Sequence, residues 1–188
     1  MAFGAAPLAA EAPIREVNVT TDSAPGWIPS AALEQSARST VLAYLGDLDS
    51  GRYADAYAAL DARNRQETPE EFSARLKAFN RLAGPVRERR ILKITWTKDP
   101  ARAPAPGVYV AVDLAGWFAN IDRHCGYVVL YQKPSGGGFT VMRSEEYLLD
   151  NATASGAVSA EAERAWAQIS RNCPNYPRTP LARTPEGG

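Results

Sequence analysis

The chain has 188 residues, 45% of them apolar and 22% charged, with 21 basic and 21 acidic side chains, one histidine and two cysteines. That balance describes an ordinary globular domain able to bury a continuous core, and a net charge of zero removes the positive field that a nucleic-acid binder needs. One histidine and two cysteines are too few for a zinc framework of about four nitrogen or sulfur ligands, so no metal and no other cofactor is expected.

Residues 1–29 read as an extended N-terminal segment. Its start, MAFGAAPLAAEA, lacks the basic region and long apolar stretch of a complete signal peptide. The alanines Ala9, Ala10 and Ala12 nevertheless resemble the small-residue region before a signal-peptidase cut, as in a signal-peptide remnant. A periplasmic or secreted protein is the expectation, and a cytoplasmic one with an alanine-rich start is the alternative. No apolar run approaches the roughly 20 residues needed to span a bilayer as a helix.

Residues 30–150 carry the pattern of one α+β domain. Ser30 can cap a helix in which Leu33, Ala37, Val41, Tyr44, Leu45 and Leu48 recur at steps of three and four. Asp49-Ser50-Gly51 breaks it, and a shorter helix follows with Tyr53, Ala56, Tyr57 and Leu60 on one face. Thr68-Pro69-Glu70-Glu71 places a cap, a first-turn proline and a glutamate suited to a capping box, and Gly84-Pro85 ends that third helix. From Val86 the period falls to two: Leu92, Ile94 and Trp96 alternate with polar residues, as do Val108, Val110, Val112 and Leu114 after a proline-rich connection. Tyr127 to Gln132 and Phe139 to Leu148 flank the turn Pro134-Ser135-Gly136-Gly137-Gly138 as an antiparallel hairpin.

The expected architecture is three N-terminal helices packed on a curved antiparallel sheet of four to six strands, with one further helix at the C-terminus. Residues 151–188 read as a linker to Ser159, a docking helix bearing Ala162, Ala165, Trp166 and Ile169, and a Pro/Arg-rich tail. Cys125 and Cys173 lie too far apart for a C-x-x-C redox pair and suit a structural disulfide in an oxidising compartment. Such a bridge would fasten the C-terminal extension to the core. The alternative is two unrelated cysteines, with Cys125 buried as a small hydrophobe.

The junction Leu48-Asp49-Ser50-Gly51-Arg52-Tyr53-Ala54-Asp55-Ala56-Tyr57, within this order of elements, resembles the cone-shaped nuclear transport factor 2-like superfamily, a cystatin-like roll. Gly107-Val108-Tyr109-Val110-Ala111-Val112-Asp113 and Trp117-Phe118-Ala119-Asn120 resemble the central strand of a bacterial domain-of-unknown-function family, DUF4019. The resemblance covers roughly residues 31–150 and implies a small exported protein with a pocket at the open end of the cone. The chain departs from that family's pattern at His124-Cys125-Gly126, where the strand is expected to open with an acidic residue. Relatives of this fold serve as isomerases, cyclases, dehydratases, ligand binders or dimerising modules, so fold does not select function.

A proton-transfer enzyme needs an acid or base in an apolar pocket and a donor for developing oxyanion charge. Asp113 shares its strand face with Tyr109, Ala111, Ala115 and Trp117, so it points away from the helices and is not expected to be catalytic. No catalytic residue is assigned. Arg143 and Glu145 share a face with Phe139, Val141 and Tyr147 by period two; they read as an ion pair, or as ligand-orienting groups at the pocket mouth together with Tyr57. His124, just before a strand, reads as a structural histidine at a loop end. Arg81, Arg87, Arg89, Arg90 and Lys93 read as a solvated basic patch, and Tyr53, Tyr57, Phe72 and Phe79 as core.

These observations lead to a small exported, non-catalytic binding or assembly module. Its partner is an unknown protein or a small apolar ligand, with a homodimer through the sheet face a further option. A lyase or isomerase with a pocket carboxylate is one alternative; it predicts Glu145 or Asp113 buried in a cavity of several hundred Å3. An accessory subunit of a cell-envelope complex is the other.

Overall fold

The computed structural model describes residues 17–156 and 159–176. The segment read as a signal-peptide remnant and most of the Pro/Arg-rich tail lie outside them. The elements run β1 (Asn18–Val19), α1 (Ala31–Asp49), α2 (Tyr53–Ala58), α3 (Pro69–Ala83), β2 (Val86–Lys98), β3 (Val108–Phe118), β4 (Ile121–Gln132), β5 (Thr140–Asp150), α4 (Asn151–Gly156) and α5 (Ser159–Ile169). The protein is thus α+β, and its five strands form one sheet in the order β1-β2-β3-β4-β5.

The helix boundaries follow from local chemistry. The Ser30 hydroxyl accepts from the Leu33 N–H, occupying an orphan donor at the start of α1. The Thr68 hydroxyl accepts from the Glu71 N–H while the Glu71 carboxylate accepts from the Thr68 N–H, so both halves of the capping box are made. Gly84, at φ 71°, ends α3 in a conformation that a side chain would strain.

The elements differ from expectation in three ways. The sheet is mixed: β1 pairs parallel to β2, with Asn18 opposite Thr95 and Val19 opposite Trp96, although that segment reads as merely extended. Two residues are too short for a period to register. β4 begins at Ile121, six residues before Tyr127, because Asp122, Arg123 and His124 hide the alternation from a hydropathy reading. And Asn151–Gly156, at the start of the expected linker, is the short helix α4.

One cluster joins Val41, Leu45 and Leu48 of α1, Phe72 and Leu76 of α3, and inward residues of β2 to β5 such as Trp96, Val110, Leu130 and Val141. Burial of side chains of this size contributes about 1.5–3 kcal/mol each. The inward face of β3 is the Val108, Val110, Val112 and Leu114 face, all four buried. At the outer edge, residues 59–61 shield part of β5: the Val141 N–H donates to the Ala59 carbonyl and the Asp61 N–H to the Val141 carbonyl, each at 2.8 Å.

The opposite sheet face carries a second cluster, Cys125, Leu149, Ala162, Trp166 and Cys173, with Tyr147 and Tyr176 against it. Cys125 and Cys173 form a disulfide with Cα atoms 6.2 Å apart. α5 therefore docks on the outside of the sheet. The Asn175 amide donates to Asp113 Oδ2 at 2.6 Å, and Arg123 reaches Glu163 at 2.5 Å. Among the described residues, no helix is long and apolar enough to cross a membrane.

With 48 residues of sequence separating the cysteines, loop-closure entropy assigns the bridge about 4 kcal/mol. Urea unfolding of the doubly substituted chain, Cys125→Ala with Cys173→Ser, should show a loss approaching that value. A loss below about 1 kcal/mol would mean that the noncovalent contacts of the C-terminal segment suffice to hold α5 in place.

Candidate functional site

The features that could hold a ligand gather where the inner face of the sheet meets α1 and α3, and around the edge strand β5 onto its outer side. Register decides which side chains reach it. Val129 pairs with Arg143 but Leu130 pairs with Val141, so β5 carries an extra residue, Met142. Beyond that bulge the faces exchange roles: Ser144, opposite Val128, and Glu146, opposite Gly126, now lie on the inner side. Arg143, Glu145 and Tyr147 consequently share the outer face, opposite to Val141, and the uninterrupted period expected for this strand is corrected. A second shift, between Ile91 and Lys93, places Arg89 opposite Gly116 on the inner side.

Arg89 is the centre of a buried polar cluster, and its expected place in a solvated patch is corrected. Its Nε and one terminal nitrogen donate to the two oxygens of Asp49 at 2.8 Å each, and its other terminal nitrogen donates to Glu146 Oε1 at 2.8 Å. The guanidinium lies over the Phe118 ring, 5.2 Å from its centroid. Asp49 closes α1, where the helix dipole is negative, so Arg89 also offsets a charge poorly placed on its own helix.

His124 completes the group. It lies within β4 and not at a loop end, and it is only 1% exposed. Its ring packs edge-on against Phe118 at 5.0 Å, with Nε2 3.7 Å from Glu146 Oε1, and neither ring nitrogen has a hydrogen-bond partner. Gly116 makes the room: a Cβ there would stand 2.9 Å from His124 Nδ1 and 2.8 Å from the Phe118 ring. Burial pushes the Glu146 carboxyl up, but the Arg89 charge beside it prevails and holds the group at about 2.

Next to this cluster runs a cleft of about 880 Å3, whose lining includes Tyr57, Phe72, Arg75, Arg143, Ser144 and Glu145. All three residues read from sequence as ligand-binding thus line one hollow. The Tyr57 hydroxyl donates to the Glu67 carbonyl at 2.8 Å, its ring meets Phe72 edge-on at 5.4 Å, and the Arg65 guanidinium covers it at 4.9 Å. A smaller chamber of about 370 Å3 shares Tyr44, Arg75, Ser144 and Glu145 with the cleft and ends on Leu48, Leu76, Phe79 and Glu146. A separate hollow of about 600 Å3, between α1 and β2, is lined by Glu34, Arg38, Lys93 and neighbours. It touches none of the cluster.

The two carboxylates weighed as catalysts have other engagements. Glu145 accepts from the Tyr147 hydroxyl and from Arg143, and these bonds hold its carboxyl below the usual range. Asp113 is raised by burial, against the pull of Asn175 and Lys93, but lies on the outer face beneath the C-terminal segment. Among the described residues, no group of three or more His, Cys, Asp or Glu side chains is placed to hold a metal ion.

The fold and site define a class: an α+β domain with an aromatic cleft between its helices and a sheet-edge strand, backed by a buried arginine-carboxylate cluster. Residues 40–142 match the family described as protein of unknown function (DUF4019), more than half of the chain, and the protein belongs to that family. Asp49, Arg89 and His124 fall within the matched span, while Glu146 and Cys173 lie beyond it. No curated protein and no solved structure matches the chain.

Because the folded Glu146 carboxyl titrates at about 2 and an ordinary one at 4.5, its contribution to stability is complete above pH 4.5 and is lost as pH falls through 2. That contribution is at most about 3 kcal/mol. Denaturant unfolding between pH 6 and 2 should show Glu146→Gln less stable than the parent at pH 6 and with a flatter acid limb. An unchanged acid limb would remove Glu146 from the acid response.

Proposed function

We propose that the protein is a small exported, non-catalytic binding module of the nuclear transport factor 2-like type, and that its ligand is a small molecule with an apolar body received in the cleft beside Tyr57. The observation that carries this reading is the convergence of Tyr57, Arg143 and Glu145, with Phe72, on a hollow of about 880 Å3, within the usual size of small-molecule sites. Aromatic walls supply apolar contact, and the paired charges at the rim orient a polar end without leaving an unmatched ion.

Its engagements argue against catalysis. Glu145 is tied to Tyr147 and Arg143 and kept acidic, which makes it a weak base, and Asp113 faces away from the cleft. The disulfide is in keeping with an oxidising compartment and hence with export. A homodimer through the sheet face would have to use what α5 leaves of it, around Ala111, Val129 and Arg143.

Titration with the neutral fluorophore N-phenyl-1-naphthylamine tests the reading. Saturable enhancement is expected, weakened at least fivefold by Tyr57→Ala in protein whose circular dichroism is unchanged. Absence of saturable binding, or turnover of a carbonyl substrate that Arg143→Ala or Glu145→Ala abolishes, would overturn it.

A further inference from the structure

The chamber behind the cleft ends on a carboxylate, Glu146, that shares its one guanidinium partner with a second carboxylate. The cluster holds two carboxylates, Asp49 and Glu146, a single guanidinium, Arg89, and the His124 ring. Arg89 spends two of its nitrogens on Asp49 and offers one to Glu146. A carboxylate can accept about four hydrogen bonds. The Glu146 side chain is 15% exposed, and it lines the chamber. On its protein side stands His124, fully enclosed, with both ring nitrogens unpartnered and Nε2 3.7 Å from the same oxygen that Arg89 holds.

We infer that this chamber is the seat of a cationic group, so that the ligand of the cleft is an amphipathic amine whose ammonium rests on Glu146 and whose apolar body runs past Leu76 and Phe79 toward Tyr57 and Phe72. The inference rests on the reading of the cleft as a binding site and adds the chemical class of its occupant. An ammonium brings three donors. One reaches the free capacity of Glu146, and the Tyr44 hydroxyl, kept protonated by burial, is an acceptor on the same wall. The pairing adds a positive charge beside two carboxylates that share one guanidinium, in a low-dielectric setting where it counts for more than in water.

The guanidiniums of the cleft do not oppose this. Arg75 is held by Glu67 at 2.8 Å, and Arg143 by Glu145 at 2.6 Å. Arg65 rests over Tyr57 and on the carbonyls of Ala58 and Leu60, and it does not line the chamber. An anionic head, by contrast, would have to approach Glu146 itself if it entered the chamber first.

The test compares n-octylamine, n-octanol and octanoate by calorimetric titration of the intact, disulfide-bonded chain at neutral pH. Octylamine should bind at least tenfold more tightly than octanol, with octanoate weakest. It should also move the ring signals of the chain's one histidine in a carbon-proton correlation spectrum, since His124 shares its oxygen. Glu146→Gln should bring octylamine down to the affinity of octanol. If octanol matches or exceeds octylamine in the parent protein, the cation seat is refuted while the cleft reading stands. If none of the three binds, the cleft reading fails and this one with it. The parent comparison decides the matter even if the Gln variant does not fold.

Discussion

A guanidinium enclosed between two carboxylates joins three segments that are remote in sequence: the end of α1 at Asp49, the start of β2 at Arg89, and β5 at Glu146. Desolvating these ions costs several kcal/mol each, so the arrangement is tolerable only with short, well-aligned bonds, which Arg89 supplies to both partners. It also fixes register. A one-residue slip of β2 or β5 would turn Arg89 or Glu146 to the other face and leave its partner buried and alone, at a cost of about 3–5 kcal/mol. The apolar core tolerates several alignments of Val and Leu; the ion cluster accepts one. The position of the cleft floor, and hence of Tyr44 and Ser144, depends on that alignment.

Much of the fold was readable because its signals are local. Ser30 and Thr68-Pro69-Glu70-Glu71 announce helix starts through bonds made within four residues, and Val108 to Leu114 announces a strand through strict alternation. The orientation of Asp113 followed from that alternation alone. The disulfide was readable as an option because two rare residues had few other uses. Tyr57, Arg143 and Glu145 line one hollow, but the strand period that grouped the last two with Val141 did not foresee how they reach it.

The buried cluster was not legible, and the reasons are physical. A bulge at Met142 shifts the phase of β5, so counting by two from Val141 puts Arg143 and Glu145 inside and Glu146 outside, the reverse of what occurs. The shift before Lys93 does the same service for Arg89. Bulges are features of pairing between strands and leave little trace in the strand that carries them. His124 was misplaced because a charged opening, Asp122 and Arg123, masks a strand whose inward positions are taken by a histidine and a glycine. Two clues were nonetheless present. Gly116 and Gly126, each in a strand interior, mark close approaches: a Cβ on Gly116 would strike the His124 ring, and one on Gly126 the Glu145 carbonyl at 2.6 Å.

The two sides of the sheet differ in how they are closed. Outside, Trp166, Tyr176 and the Cys125 disulfide make a compact apolar seal that carries Asn175 onto Asp113. Inside, the helices leave a hollow, and the polar cluster stands at its end. Stability alone would favour filling such a place with apolar side chains, since exchanging a buried ion group for hydrophobic residues of equal volume is often neutral or stabilising by about 1–4 kcal/mol. The backbone does the opposite. It bulges twice to bring Arg89 and Glu146 inward, and it uses a glycine at position 116 to admit the histidine ring. Neither nitrogen of His124 makes a hydrogen bond, although Nε2 lies 3.7 Å from Glu146, and Glu146 lines the chamber. An unmade hydrogen bond is not by itself the mark of a site, since Arg123 Nη1 under α5 on the outer face lacks one too; what sets the inner group apart is that its Glu146 reaches a cavity wall.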